Sequence, residues 1–454
     1  MGVLKALKSK QKSWKKIVSI LIILAIVPTV FLLIQRLEGE PPKVEFKLQS
    51  KYIGKHGKID LFISDHKSGV KKVWVSIFKD GSETVIFKEN YQKKNIFKAG
   101  SVKTKSIEVN LSPSKLKIND GLAILRIAVW DHSWRLNKTY FEKNVVIDTT
   151  PPEVDVLSRT HRIYQGGTGL VIYQIPEKGT KNGVVVGDNF FPGYPGNFKN
   201  KNIHMAFFAL NHKQGPKTKI YLKVTDQAQN TRLSGFHHKI IQRLSRKDNI
   251  RLSDNFLKWK LPQFDTDKNR SLIEQFLYVN RKIREKNAKK ITEVGKNTIN
   301  RIMWNDKFLR LPSASNRARF SDYRSYYYKG RIVDHQYHLG IDLASNKHAP
   351  IPASNSGIVV LVKKIGIYGK TVVIDHGFGL FTTYSHLSMV FVKKGKHIKK
   401  GEIIGRTGIT GMTGGDHLHY GMFVNNIFVN PIEWWDTKWI KNNILFKINQ
   451  IESK

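Results

Sequence analysis

"GGDHLHYGM", residues 414–422, sets His417 and His419 one residue apart in an apolar, glycine-flanked stretch. Strand side chains alternate with period two. A strand here therefore turns both imidazoles to one face, and Leu418 and Tyr420 to the other. Two charged imidazoles side by side repel, so the pair is comfortable when at least one ring is held neutral, as a bound cation would hold it. Two histidines capping polar groups at a sheet edge would leave the same trace, and a motif this short leaves both readings open.

The surrounding sequence reads as a succession of strands with glycine turns: "GIVVLVKK" (357–364), "KTVVIDHG" (370–377), "LFTTYSHLS" (380–388) and "GEIIGRTG" (401–408). A second metal-like group, "HLGID" (338–342), lies upstream. On a strand or extended loop His338, Gly340 and Asp342 share a face, with Gly340 leaving room for an ion. On a helix the i, i+4 pair shares a face as well. His338, Asp342 and one histidine of "HLH" make a set of two imidazoles and one carboxylate, with a fourth position open as in catalytic zinc sites. The chain has no Cys, so the donors are nitrogen and oxygen, a set that suits Zn²⁺ better than Mg²⁺ or Ca²⁺.

"HLGIDLAS", "GIYGKTVVIDHG", "YSHLS", "GEIIGRTGITG" and "GGDHLHYGM" stand in the order of the M23 family of zinc metallopeptidases, the LytM and lysostaphin type, which residues 308–440 resemble. The resemblance implies an antiparallel β domain with its site in a groove, and one Zn²⁺ per chain held by His338, Asp342 and His419. It also implies that His386 and His417 are the catalytic pair beside the metal, and that the substrate is the peptide part of bacterial cell wall. His417 is then placed to take a proton from the attacking water. His386, from another strand, is placed to bond the oxyanion or share that proton. Sequence does not separate the two roles. Asp416 reads as a turn residue, with orientation of an imidazole as the other option. His335 could stand in for His338 in a shifted register. His376 reads as structural at a hairpin turn, and His348 and His397 as solvated loop residues. Trp434 and Trp435 read as packing.

The first residues place this domain. "MGVLKALKSKQKSWKK" carries six lysines and no acid, and residues 17–34 are apolar except Ser19, Pro28 and Thr29. Eighteen helical residues span about 27 Å, close to the thickness of a bilayer's hydrocarbon core. The lysine flank puts the N-terminus in the cytoplasm and the rest outside. "QRLEGEPP" lacks the small-residue pair of a signal-peptide cleavage site, so a retained signal-anchor is expected. The expected location is single-pass in the inner membrane, with a periplasmic catalytic domain. The net charge of +42 would otherwise suggest nucleic acid. Outside the membrane the available polyanions are head groups and cell-wall polymers, so nucleic acid is not expected. The scattered lysines read as a solvated basic surface at least as readily as a binding patch, and peptidoglycan is the partner that the M23 resemblance implies.

Between anchor and peptidase, two segments echo each other. "PPKVEF" (41–46) opens a β-rich run ending near "RIAVWDHSWRLN" (126–137), and "PPEVDV" (151–156) opens another passing through "YLKVTDQAQN" (221–230). Each late strand ends Val-x-Asp, with an Asn a few residues on. Alternating stretches such as "KIDLFIS", "VKKVWVSIF" and "KSIEVNL" read as β-sandwich strands. These modules resemble bacterial immunoglobulin-like domains, which implies spacers or arms for divisome or envelope proteins. "GVVVGDNFFPGYPGNFKN" (183–200) reads as a glycine-rich insertion in the second. Residues 265–294 carry Leu272, Ile273, Phe276, Leu277 and Ile283 on one helical face, with Asp267 as N-cap.

The expected architecture is mainly β and multidomain: a basic tail (1–16), an anchor (17–34), β modules at 41–150 and 151–245, a helical connector (246–307), the peptidase domain (308–440) and a tail (441–454). The expected activity is zinc-dependent hydrolysis of peptidoglycan cross-links, D-alanyl–diaminopimelate before Gly-Gly. The alternative is a non-catalytic wall-binding protein or an activator of another hydrolase, which the presence of all five polar residues disfavours.

Overall fold

The computed structural model describes residues 2–92 and 100–452, without the side chains of residues 2–13, 15, 32, 35 and 36. A helix runs Gly2–Arg36 and leaves Ile20, Ile23, Leu24, Val27, Phe31 and Ile34 exposed. Most side chains of the expected basic tail lie outside the described set. Among the described residues no helix is long and apolar enough to cross a membrane.

The chain divides into two compact units, Met1–Pro151 with Thr225–Asn230, and Pro152–Val224 with Thr231–Lys454. In the first, a three-stranded sheet places Gly57–Ser64 between Lys43–Leu48 and Thr104–Leu111. A five-stranded sheet runs in the order Tyr52–Ile53, Lys138–Ile147, Gly121–Asp131, Val70–Lys79, Ser82–Asn90. Ile59, Leu61 and Ile63 of one sheet share a core with Val73, Val75 and Leu125 of the other, as the alternation of "KIDLFIS" requires. Each such side chain contributes about 1.5–3 kcal/mol on burial.

The Val-x-Asp…Asn echo has a structural basis within this unit. Asn137 Nδ2 donates to Asp131 Oδ2 at 2.8 Å and to the Glu38 carbonyl at 2.9 Å. Asn230 Nδ2 donates to Asp226 Oδ2 at 2.9 Å and to the Asp148 carbonyl at 2.7 Å. In both places an Asp orients an Asn amide that ties down the segment just before a Pro-Pro pair.

In the second unit, one sheet is ordered Tyr194–Pro195, Ile203–Ala209, Thr168–Gln174, Asp155–Val156, and another Asn189–Pro192, Lys181–Val186, Ile220–Thr225, Thr231–Ser234. Residues 183–200, the glycine-rich stretch, are built into the sheet and core of this unit. They supply the hairpin of Lys181–Val186 with Asn189–Pro192, and Val184, Val186, Phe191 and Phe198 lie in the core. Glycine there marks turns and close approaches: a Cβ at Gly183 would come within 2.2 Å of the Phe191 carbonyl oxygen.

Residues 246–307 are not helical throughout. Strand Lys247–Leu252 pairs in parallel with Tyr323–Tyr328 before the helices Asp254–Lys260, Leu272–Tyr278 and Arg284–Thr292. Asp267 is not the N-cap of the second helix. Ser271 is, through a capping box in which its hydroxyl accepts from Glu274 N and Glu274 reaches back to the Ser271 backbone.

The C-terminal sheet has the strand order Ser315–Ala318, Ile341–Ala344, Leu418–Val424, Leu380–Leu387, Gly369–Asp375, Gly357–Ile365, His397–Ile398. Its described pairings are antiparallel. Trp434 is fully buried against Phe207, Trp304 and Phe308, which joins the core of the preceding sandwich to this sheet.

Candidate metal centre and catalytic pair

Three adjacent strands bring the site together. Asp342 of Ile341–Ala344 lies opposite His419 of Leu418–Val424, and His419 lies opposite Ser385 of Leu380–Leu387. Directly opposed residues share a face, so Asp342 and His419 meet although 77 positions apart: His419 Nδ1 is 2.8 Å from Asp342 Oδ1. His338, in the turn between Arg331–Tyr337 and Ile341–Ala344, places Nε2 at 3.0 Å from Asp342 Oδ1 and 3.0 Å from His419 Nδ1. His417, just ahead of its strand, sets Nε2 3.5 Å from the same oxygen, on the His419 side as period two demands. Leu418 and Tyr420 are buried on the other side.

His386 follows Ser385, and simple alternation would send it to the opposite face. Its φ of +67° breaks that alternation. The ring comes to 4.9 Å from that of His417 and 5.7 Å from that of His419, centroid to centroid. Left-handed backbone at a non-glycine residue is strained, and such strain persists where the surroundings enforce it. Here Nδ1 is held 2.8 Å from the Thr410 carbonyl.

Proton bookkeeping shows that the cluster fits a cation. His338 Nδ1 lies 3.0 Å from the Arg319 carbonyl, an acceptor only, so Nδ1 carries the hydrogen and Nε2 presents a lone pair. Burial first, then the Arg324 charge, push His338 down to about 4, so the ring is neutral at pH 7. Burial pushes the Asp342 carboxyl up, but its imidazole neighbours, His338 first, outweigh this in their protonated forms and hold it well below the usual carboxylate range. A lone pair therefore faces a carboxylate oxygen at 3.0 Å with no proton between them. In addition, His419 Nε2 is buried without a hydrogen-bond partner among the described residues. His338 Nε2, Asp342 Oδ1 and His419 Nδ1 converge as three ligands of one ion would.

Gly340 has a different role from the one its place between the ligands suggests. A Cβ there would come 2.7 Å from His419 Cε1 and Nε2 and 2.7 Å from the Tyr420 carbonyl oxygen. The space over Gly340 is taken by the His419 ring, not left for an ion.

The two further histidines, His386 and His417, are tethered alike. His386 Nδ1 faces the Thr410 carbonyl, and His417 Nδ1 lies 2.9 Å from the Gly415 carbonyl and 3.1 Å from Thr413 Oγ1. Each neutral ring thus offers Nε2 to the site. Their surroundings differ: burial, then the His417 and His419 rings, hold His386 well below its usual range. For His417 burial pulls down, but its bond to Asp342 wins and raises it.

Sequence reasoning missed Arg324. Its Nη2 donates to Asp342 Oδ2 at 2.9 Å and its Nε to Asp248 Oδ2 at 3.2 Å, so strand Lys247–Leu252 reaches the site through one guanidinium. The signal was an arginine inside the strand-like "YRSYYY", where a buried position demands acid partners. The other weighed residues lie apart from the cluster. His335 stacks on Tyr323 at 5.0 Å. His376 bonds the Ser356 carbonyl and Thr382 Oγ1. His348 and His397 are exposed, and Trp435 packs on Tyr420. Asp416 accepts from Thr407 Oγ1 at 2.5 Å and from the His348 backbone, and so anchors its loop rather than an imidazole of the site.

A cavity of about 500 Å³ opens over the cluster, walled by Phe256 and Phe276 of the connector helices and by Tyr326, Tyr337 and Tyr368. The fold and site thus define a class: a β-sheet domain with a buried His-Asp-His cluster able to hold a metal ion and two further histidines facing a cleft.

Residues 336–431 match Peptidase family M23, and the C-terminal domain of this chain is an M23 peptidase domain. The DD-carboxypeptidase/endopeptidase Mpg of Neisseria meningitidis is 40% identical over 95 residues, 21% of this chain and 22% of the relative. The peptidoglycan DD-endopeptidase ShyA of Vibrio cholerae is 40% identical over 96 residues, with the same coverage of 21% and 22%. The chain therefore spans about a fifth of the length of these curated relatives. Among solved structures, the catalytic domain of lysostaphin from Staphylococcus simulans is 25% identical, with a TM-score of 0.25, covering 29% of this chain and 98% of that one.

Proposed function

We propose that this chain is a zinc-dependent endopeptidase that hydrolyses peptide cross-links of bacterial peptidoglycan. The observation that carries this is the convergence of His338 Nε2, Asp342 Oδ1 and His419 Nδ1 beneath a cleft that His386 and His417 also face. The relatives named as DD-endopeptidases favour the D-alanyl–diaminopimelate cross-link over a Gly-Gly bridge.

When bound by His338, Asp342 and His419, zinc supplies Lewis-acid polarisation of the scissile carbonyl and makes water a stronger acid. The chain's own groups do the rest. His386 and His417, both tied through Nδ1 to backbone carbonyls, present Nε2 atoms that take a proton from the attacking water and pass one to the leaving amine. Arg324 holds Asp342 so that one carboxylate oxygen faces the ligand cluster.

The helix Gly2–Arg36 is read as a single-pass inner-membrane anchor, with the N-terminus cytoplasmic and the catalytic domain periplasmic. The apolar run of residues 17–34 behind a lysine-rich flank and the girdle of exposed Ile, Leu, Val and Phe are what favour this reading. The two β modules are read as immunoglobulin-like spacers or docking arms for divisome or envelope proteins.

The test is to incubate the detergent-solubilised, zinc-loaded full chain with purified peptidoglycan of both cross-link types and to follow fragments by mass spectrometry. Chelator-sensitive loss of diaminopimelate-linked dimers is expected. A folded, zinc-bound chain that releases no fragment from either wall would overturn the reading.

A further inference from the structure

The cavity over the metal centre is lined by three arginines, 284, 317 and 324, and two are already committed. Arg324 is held by Asp248 and Asp342. Arg284 donates to the Asn280 side chain at 2.6 Å and reaches the Tyr326 hydroxyl at 3.5 Å. Arg317 is exposed and has no hydrogen bond or ion pair among the described residues.

Its place in the sheet is specific. Strand Ser315–Ala318 pairs with Ile341–Ala344 through Asn316↔Leu343 and Ala318↔Asp342, and the register slips between Asn316 and Ala318. Arg317 is the extra residue of a β-bulge, set next to the residue paired with metal ligand Asp342. A bulge re-aims the side chain it carries, and here that side chain joins the cavity wall. The acids on the same wall are occupied: Asp342 by Arg324 and the imidazoles, Asp416 by Thr407. The cleft thus presents one uncommitted guanidinium fork, whose geometry matches a carboxylate bidentately.

We propose that Arg317 is a specificity residue which receives a free carboxylate of the substrate peptide beside the scissile bond. This rests on the peptidase reading above and adds that the substrate is recognised as an anion, not only as a peptide.

The experiment uses two synthetic cross-linked peptides that differ only in a carboxylate or carboxamide next to the bond. The full zinc-loaded chain is assayed alongside Arg317→Gln, Arg317→Lys and Arg331→Gln. Arg331 is an exposed arginine outside the cavity lining, so it controls for the general positive charge of the chain.

The unsubstituted chain should favour the carboxylate by about tenfold in KM with little change in kcat. Arg317→Gln should abolish that preference with zinc content retained. Arg317→Lys should restore it only in part, and Arg331→Gln should keep it whole. A preference that survives Arg317→Gln, or no preference in the unsubstituted chain, overturns the proposal. If neither peptide is cut, the peptidase reading fails, and the Kd of each peptide for the His417→Ala chain still decides. Tighter carboxylate binding that vanishes in the double variant supports Arg317, and equal Kd values overturn it.

Discussion

Arg324 Nη2 donates to Oδ2 of Asp342 at 2.9 Å, while Oδ1 of the same carboxylate faces His338 Nε2 at 3.0 Å. One oxygen is reserved for a side chain outside the matched family segment, and the other for the cluster. Partners that orient a ligand in this way are worth about 10–100-fold in metal affinity. Arg324→Met should therefore weaken zinc binding by that order in a competition titration against a chromophoric chelator. Unchanged affinity would reduce Arg324 to a packing residue.

The two histidines of "HLH" should separate cleanly. His419→Ala removes a ligand and should lose both zinc and cleavage. His417→Ala should keep stoichiometric zinc and lose about a hundred- to ten-thousandfold in turnover. Metal analysis beside the cleavage assay reads both, and zinc retained by His419→Ala would overturn the ligand assignment.

Gly340→Ala tests the packing of His419, the proposed ligand. The new Cβ meets the His419 ring and the Tyr420 carbonyl at 2.7 Å, and backbone cannot yield cheaply. Overpacking of this kind costs about 1–3 kcal/mol. The variant should melt lower and bind zinc more weakly, as calorimetry and a zinc titration would record. Wild-type behaviour in both would mean that the ring moves freely.

Glu433 gives stability a pH slope. Burial pushes its carboxyl from 4.5 up to about 7, with the Thr168 N–H and then Arg243 pulling it back. The folded state therefore keeps a proton that the unfolded chain releases above 4.5. The stability of the native chain relative to Glu433→Gln should fall as pH rises from about 4.5 to about 7 and level off beyond, by on the order of 3 kcal/mol. Denaturant unfolding of both chains across that window reads this difference, apart from the opposite slope that buried neutral histidines such as His338 and His376 give to both. Parallel slopes would place the titrating group elsewhere.

The sequence was most legible where a local period carries the information. The alternation in "HLHY", the spacing of "HLGID" and the glycine-punctuated strands each encode a face or a turn within a few residues. It was least legible where pairing is remote. Residues 183–200 look like a loop by their glycines, yet Val184 and Phe191 are fully buried because partner strands elsewhere satisfy their backbone. The start of the helix Leu272–Tyr278 was written in S-x-x-E at 271–274, and the reciprocal bonds of that box outrank the lone Asp267.

By itself, the sequence determined the donor types available to a metal, the period-two placement of His417 and His419, the Arg36-bounded apolar run at the N-terminus and the succession of strands along the C-terminal chain. Composition and short-range spacing suffice for these, since a residue's chemistry and its face on a strand are local properties. Only the tertiary structure decided which atoms converge. Sheet register sets Asp342 against His419 across 77 positions. The Thr410 carbonyl orients the strained His386, and a strand from the connector sends Asp248 to Arg324. Those contacts depend on backbone pairing over long separations, and no local pattern records them.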